Sequence, residues 1–160
     1  MTDRVFEERT GFNQWWLWLI LLGILAIPIV GIYEQVIMGR PFGDSPMSDA
    51  GLIVFLVFAL LFVFLFYYMR LIARVDEYGV FMRFRPFVTK ELSWEEIASH
   101  EILEYGFVGG WGIRLTTRYG TVYNTGGRIG LAITTRKGDR FIIGTRDSSK
   151  LKQVLENLGK

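Results

Sequence analysis

Cysteine is absent from the 160-residue chain, and histidine occurs once, at His100. The lack of cysteine excludes disulfide bonds, thiolate zinc sites, iron–sulfur ligation and a cysteine nucleophile. A single histidine also excludes a metal site built from several histidines. No serine lies in a G-x-S-x-G context, so nothing in the chain supports a serine hydrolase. We therefore predict a non-enzymatic protein with no catalytic residue, no metal and no cofactor.

Charge is missing from two long apolar blocks, residues 15–33 and 51–69. Each block has enough residues to span roughly 28 Å as a helix, which is about one hydrocarbon core. A helix in the core of a soluble protein would carry a polar face, and neither block has one. A cleaved signal peptide is disfavoured because the first block is longer than an h-region and no small-x-small site follows it. We predict two transmembrane helices.

The basic residues near the blocks predict the orientation. Arg4 and Arg9 precede the first block, and Arg70 and Arg74 follow the second. The connecting loop, residues 34–50, contains one basic residue, Arg40, against three acidic ones. The positive-inside rule then places the loop outside, and the N-terminal segment 1–14 and residues 75–160 in the cytoplasm. Neither block contains an ionisable residue of the kind found in transport paths.

From residue 75 onward, apolar and polar residues alternate, which is typical of half-buried strands. We predict strands at residues 80–85, 88–92, 100–105, 113–117, 121–124, 130–136 and 140–144. The last segment differs, because Leu151, Val154, Leu155 and Leu158 form one stripe of an amphipathic helix. The formal net charge of +2 is too small to indicate nucleic-acid binding.

Several short motifs carry a resemblance to a known family. They are SWEEI at 93–97, GWGIR at 110–114, YN at 123–124 and IGT at 143–145, together with PFGD at 41–44 in the loop. The chain resembles a small bacterial membrane-protein family in which two transmembrane helices precede a pleckstrin-homology-like domain. The resemblance implies a barrel of about seven antiparallel strands with a C-terminal helix, held at the cytoplasmic side of the bacterial inner membrane. The shared motifs are structural, so they leave the activity open.

Basic and aromatic residues supply the candidate site. The glycine-rich loop 106–112 lacks a P-loop lysine, so a tight turn is favoured over a phosphate cradle. Its tryptophan is either packed in the core or able to contact lipid headgroups or a partner. The arginines form either a basic face or an ordinary solvated surface. The candidate lipid- or partner-binding residues are Arg70, Arg74, Trp111, Arg114, Arg118 and Arg128.

Three functional hypotheses follow from these patterns. The first is a membrane-anchored interaction or scaffold module that binds a protein partner or a second copy of itself. The second is binding or sensing of anionic lipid headgroups, since each Lys or Arg near an anionic leaflet contributes about 1 kcal/mol. The third is an accessory subunit of an enzyme or transporter, which the absence of any catalytic motif disfavours.

Overall fold

The computed structural model describes residues 5–160, and the chain divides into two compact units. One unit is helical and comprises Phe12–Tyr68. The other is β-rich and comprises the described residues up to Gly11 together with Met69–Lys160. The helical unit is therefore an insertion between two parts of the β-rich unit. Arg4, one of the basic residues on which the predicted orientation depends, lies outside the described residues.

The helical unit contains helix α1 (Trp15–Ile32), a π-helical turn (Tyr33–Ile37) and helix α2 (Asp49–Tyr68). Both helices are long and apolar enough to cross a membrane, with mean hydropathies of 2.4 and 2.9. Only 17% and 11% of their apolar windows are buried, whereas a core helix of a soluble protein is mostly buried. The predicted blocks thus form helices whose apolar side chains are largely exposed.

Close packing between α1 and α2 occurs at Gly31. A β-carbon at this position would stand 2.9 Å from Leu52 Cδ2 and 3.0 Å from Phe42 Cδ1, so a larger residue has little room. Gly23 has no such neighbour within 4 Å. In the connecting loop, the Gln35 amide donates to the Met47 carbonyl oxygen at 2.8 Å. These contacts define a helical hairpin.

Sheet A is a four-stranded antiparallel meander of β1 (Phe6–Gly11), β2 (Arg70–Val75), β3 (Gly79–Arg85) and β4 (Val88–Ser93). Strands β3 and β4 confirm two predicted strands, but β1 and β2 were not predicted. They lie on either side of the helical hairpin in the chain and pair from Phe6↔Val75 to Gly11↔Arg70. The helical hairpin therefore occupies the place of the loop in a β-hairpin.

Sheet B contains β5 (Ile97–Glu104), β6 (Gly112–Thr117), β7 (Gly120–Asn124), β8 (Ile129–Thr135) and β9 (Arg140–Thr145) in the order β5-β8-β9-β7-β6. The prediction that all strands are antiparallel is wrong at one pair, because β7 and β9 are parallel. The β7–β8 loop passes over the end of β9, where a β-carbon on Gly127 would lie 3.5 Å from the Thr145 carbonyl oxygen. The β8–β9 hairpin then folds back and places β9 beside β7.

Helix α3 (Ser148–Asn157) follows β9 and confirms the predicted amphipathic helix. Asp147 caps its start by accepting from the Lys150 backbone N–H at 3.0 Å. The predicted stripe residues Leu151, Val154 and Leu155 are 0–5% exposed. Among residues 5–160, no strand pair joins the two sheets. Two sheets followed by a C-terminal helix are thus present, whereas a closed pleckstrin-homology-like barrel remains a prediction.

Hydrogen bonds join strand β1 to Thr145 and Arg146, at and just after the end of β9; we name this set of contacts the polar clasp. The Glu8 carboxylate accepts from Thr145 Oγ1 at 2.6 Å and from the Arg146 backbone N–H at 2.9 Å. The Arg146 guanidinium in turn donates to the Gly11 carbonyl oxygen at 2.9 Å. With Phe6 only 1% exposed, the segment that precedes α1 is an integral part of the β-rich unit.

Candidate functional site

The outward face of sheet A carries two of the predicted site residues. Arg70 and Arg74 are exposed on β2, with half-buried Ile72 between them, because alternate residues of a strand share a face. The register adds arginines from β1 and β3 to this face: Arg9 lies in the row of Ile72 and Arg83, and Arg85 lies opposite Arg70. We name this set the arginine face; it comprises Arg9, Arg70, Arg74, Arg83 and Arg85.

Two members of the arginine face have carboxylate partners. Arg9 lies 2.7 Å from Glu7, and Arg74 lies 2.9 Å from Asp76. Arg83 instead donates from Nε to Thr89 Oγ1 at 3.3 Å. Neutralised charges attract anions weakly, so the anion-binding capacity of the face depends on its remaining arginines.

Arg70 and Arg85 are cross-strand neighbours on the same face of sheet A. Among the residues described, neither has a carboxylate within ion-pair distance. Like charges placed directly opposite each other on a sheet destabilise it. The pair is therefore a place where a bound anion would relieve repulsion within the fold.

An exposed aromatic side chain lies in the turn that follows Arg85. Phe87 is 55% exposed, and its backbone N–H donates to the Phe84 carbonyl oxygen at 2.8 Å. This hydrogen bond closes a tight turn between β3 and β4. Arg70, Arg85 and Phe87 thus stand together at the end of sheet A where the chain leaves for α1 and returns from α2.

A groove of about 690 Å³ runs along the same face, from Tyr78 and Glu96 to Arg85. It is lined by both basic and acidic side chains, among them Arg74, Asp76, Glu91 and Glu96, with Tyr78 at its edge. Hydrogen bonds from the Ser93 backbone N–H and hydroxyl lower the pKa of Glu96 below its ordinary value. The mixed charge of this groove does not select a ligand of one sign.

Trp111 and Arg114 belong to a loop that is folded on itself. Trp111 is half-buried, and the Arg114 guanidinium packs on Gly110, where a β-carbon would overlap it. The Gly112 backbone N–H donates to the buried Asn124 Oδ1 at 3.1 Å. The loop around these two residues is thus fixed by internal contacts, which favours the tight-turn interpretation.

Arg118 and Arg128 lie at opposite ends of sheet B. Arg118 is in the β6–β7 turn, where its carbonyl oxygen accepts from the Arg140 guanidinium at 3.2 Å, beside the start of β9. Arg128 directly precedes β8, whose first residue, Ile129, pairs with Thr145 at the end of β9. The length of β9 separates these two ends by roughly 15 Å. The structure therefore does not bring the two arginines together.

Three of the motifs described above, through Gly112, Asn124 and Gly144, contribute to a buried polar cluster in sheet B. Asn124 Nδ2 donates to the Tyr105 hydroxyl oxygen at 3.2 Å, and both residues are at most 2% exposed. A β-carbon on Gly144 would stand 2.9 Å from Asn124 Cβ, so only glycine fits there. Burial raises the pKa of the Tyr105 hydroxyl, and the hydrogen bond with Asn124 partly opposes the shift. These motif residues stabilise the fold.

Comparison with protein families, curated proteins and solved structures gives no match to this chain.

His100, the single histidine, lies in β5 against Trp94, with ring centres 5.3 Å apart. Lys160 Nζ stands 5.2 Å from the centre of the Trp94 ring. Burial lowers the pKa of His100 below its ordinary value of 6.5, and the charge of Lys160 adds to the shift. Within residues 5–160, no group of three or more His, Asp or Glu side chains could hold a metal ion.

Sequence reasoning identified Arg70 and Arg74 but did not include Arg9, Arg83, Arg85 or Phe87. The signal for Arg83 and Arg85 was present, because they alternate with buried Met82 and Phe84 on one strand. What the sequence did not provide was the register that places Arg85 opposite Arg70.

Proposed function

We propose that the protein is a non-enzymatic, membrane-anchored interaction module. In this proposal, α1 and α2 cross the bacterial cytoplasmic membrane as a hairpin. They hold a pleckstrin-homology-like β unit at the cytoplasmic face, where it binds a protein partner or a second copy. The observation that carries the proposal is the pairing of β1 with β2 across the helical hairpin.

This pairing constrains how the helices can lie in a membrane. Gly11 and Arg70 are register partners, so the chain leaves the sheet and returns to it at neighbouring positions. A single crossing would put β1 and β2 on opposite sides of the bilayer, which their pairing forbids. Either both helices cross or neither does. The exposed apolar surface of both helices supports the first alternative.

The same pairing supports a retained anchor. Cleavage after α1 would remove β1, and with it the Phe6 side chain, which is 1% exposed. It would also remove the Glu8 carboxylate, which accepts two hydrogen bonds from residues at the end of β9 and just after it. A signal peptide that is discarded does not contribute a core residue to the mature fold.

The cytoplasmic orientation is supported by the distribution of arginines. Three members of the arginine face, Arg9, Arg70 and Arg74, lie on the strands that adjoin the helices in the chain. The loop between the helices contains one arginine and the acidic residues Glu34, Asp44 and Asp49. Basic residues near the ends of transmembrane helices favour the cytoplasm. The pairing of β3 with β2 puts Arg83 and Arg85 on the same side of the bilayer as Arg70 and Arg74.

The interaction role is supported by exposed apolar side chains on the β-rich unit. Phe107 in the loop after β5 is 78% exposed, and Leu115 on β6 is 68% exposed. Large exposed apolar side chains of this kind are often sites of protein contact. Strand β6 is also an edge strand of sheet B, so its outer backbone groups can pair with another chain.

Membrane topology can be tested with single cysteines, because the native chain has none. Ser45→Cys lies in the loop between the helices, and Ser149→Cys lies on the exposed side of α3. A membrane-impermeant maleimide should label residue 45 in intact bacterial cells and residue 149 only after permeabilisation. The reverse pattern would show the opposite orientation, and labelling of both sites in intact cells would contradict the hairpin.

The interaction role requires a separate measurement. Full-length protein, extracted in mild detergent from native membranes, should run as a dimer or with one stoichiometric partner in light scattering and quantitative mass spectrometry. Phe107→Ser with Leu115→Ser should weaken that association, whereas Tyr78→Ser serves as an exposed aromatic control on the other sheet. A monomer in light scattering, with no stoichiometric partner in mass spectrometry, would contradict the interaction role.

A further inference from the structure

Three features meet at one end of sheet A. Arg70 and Arg85 are register partners there, Gly11 is the partner of Arg70 on the other side, and Phe87 follows in the adjoining turn. The end of the sheet is thus built from two guanidinium groups and one exposed aromatic ring. In the residues described, no carboxylate pairs with either arginine.

The chain restricts how far this end can stand from the helices. Arg70 is two residues beyond the end of α2 at Tyr68, and an extended chain covers at most roughly 7 Å in that length. Gly11 is four residues before the start of α1 at Trp15, which allows roughly 14 Å. The headgroup layer on each side of a bilayer is about 5–8 Å thick. Two short connections at the same end of the sheet therefore keep Arg70 and its partner Arg85 within reach of the headgroups.

The remaining members of the arginine face lie farther along the strands. Arg83 is two residues from Arg85 along β3, which places its Cα about 7 Å farther along the strand. Arg74 lies two more residues away from that end on β2 and is already paired with Asp76. Arg70 and Arg85 therefore lie in the register row closest to the connections to α1 and α2, and neither has a carboxylate partner among the residues described.

The chemistry of the three side chains matches a lipid surface. Guanidinium groups bind phosphate through two parallel hydrogen bonds. An aromatic ring is favoured at the boundary between headgroups and acyl chains. An exposed aromatic ring does not contribute to the binding of free phosphate. The presence of Phe87 beside the two arginines therefore favours a lipid surface over a soluble anion.

We propose that Arg70, Arg85 and Phe87 form an interfacial contact with anionic phospholipids. The two guanidinium groups bind lipid phosphates, and Phe87 inserts beneath them. The contact holds the β-rich unit against the bilayer in a fixed orientation. The inference rests on the proposed membrane anchoring.

Depth measurements on the full-length protein test the contact. Single cysteines carrying a nitroxide label are placed at residues 87, 78 and 58, and the protein is reconstituted in nanodiscs of phosphatidylglycerol and phosphatidylcholine. Tyr78, an exposed aromatic residue in the turn at the other end of sheet A, is the matched control. Phe58, near the middle of α2, reports the transmembrane span.

The accessibility of each label to oxygen and to a water-soluble nickel complex gives its depth. We expect the labels at residues 87 and 58 to be more accessible to oxygen than to the nickel complex. The label at residue 78 should be more accessible to the nickel complex. If 87 matches 78 while 58 favours oxygen, the anchor stands and the lipid contact is refuted. If 58 also favours nickel, the membrane anchor itself is refuted.

A charge comparison tests whether the contact depends on lipid phosphate. We expect the oxygen preference at 87 to fall to that at 78 in nanodiscs of phosphatidylcholine alone, and also in the Arg70→Gln/Arg85→Gln variant. The matched variant Arg118→Gln/Arg128→Gln should keep it. No loss in either test would refute the role of the guanidinium groups. Loss on addition of inorganic phosphate at constant ionic strength would identify a free-phosphate site instead.

Discussion

Replacing Glu8 with alanine should release β1 from the β-rich unit. The wild-type carboxylate accepts from Thr145 Oγ1 at 2.6 Å and from the Arg146 backbone N–H at 2.9 Å. Its neighbour Glu7 points to the opposite face, where it pairs with Arg9 on the same strand at 2.7 Å. Two adjacent glutamates thus differ in whether they join distant parts of the chain.

The magnitude follows from the two hydrogen bonds that are lost. A hydrogen bond to a charged group contributes about 1.5–3 kcal/mol, and Glu8 is half-buried, so the lower part of that range applies. The Thr145 hydroxyl oxygen still accepts from the Asp147 backbone N–H at 3.1 Å, which limits the cost of leaving it unpaired. We expect Glu8→Ala to lower the free energy of opening β1 by about 2–3 kcal/mol.

Amide hydrogen exchange of the full-length protein in detergent micelles measures this opening directly. Exchange of the β1 amides should accelerate roughly 30- to 150-fold in Glu8→Ala, since about 1.4 kcal/mol corresponds to a factor of ten. Glu7→Ala should change the opening free energy by less than about 0.5 kcal/mol, because its ion pair is exposed. Equal exchange rates in the two variants would refute the clasp.

Three further outcomes are expected. Burial lowers the pKa of His100 in the folded state, so the unfolded state binds a proton at a higher pH than the folded state does. The free energy of unfolding should therefore fall as pH drops from 6.5 toward the folded-state pKa. His100→Gln should remove that pH dependence in denaturant titrations. Thr116 has a φ of 55°, a conformation that asparagine adopts more readily than threonine. Thr116→Asn should therefore raise the free energy of unfolding by up to about 1 kcal/mol, seen as a higher melting temperature. Thr89→Asn, on a strand with ordinary backbone angles, should not. Gly31→Leu should separate α1 from α2 and reduce disulfide cross-linking between engineered cysteines at the two helix ends, and an unchanged yield, or an equal loss in Gly23→Leu, would contradict the close contact.

The strands that the sequence predicts are those in which apolar and polar residues alternate over several positions. Strand β3 is an example, with Val80, Met82 and Phe84 all at most 3% exposed. Strand β1 was missed because its six residues include only Phe6 as a large apolar residue, beside a much stronger helical signal. Strand β2 directly follows an apolar helix, so its alternation is hard to separate from the end of that block.

The candidate site was predictable only where it depends on alternation within one strand. Arg70 and Arg74 share a face for that reason. Their relation to Arg85 depends on the pairing of β2 with β3, which composition does not encode. The strand order keeps Arg118 and Arg128 apart, because β8 and β6 are separated by two strands and the two arginines lie at opposite ends of the sheet.

The insertion of the helical hairpin between β1 and β2 also sets an order of events during synthesis. Strand β1 leaves the ribosome first, but its partner β2 is made only after both helices. In the proposed membrane arrangement, a chain that inserts one helix and not the other leaves β1 and β2 on opposite sides of the bilayer. The cavity for Phe6 then stays unfilled and one edge of β2 stays unpaired. Completion of the β-rich unit is therefore possible only in chains in which both helices have crossed the bilayer or neither has.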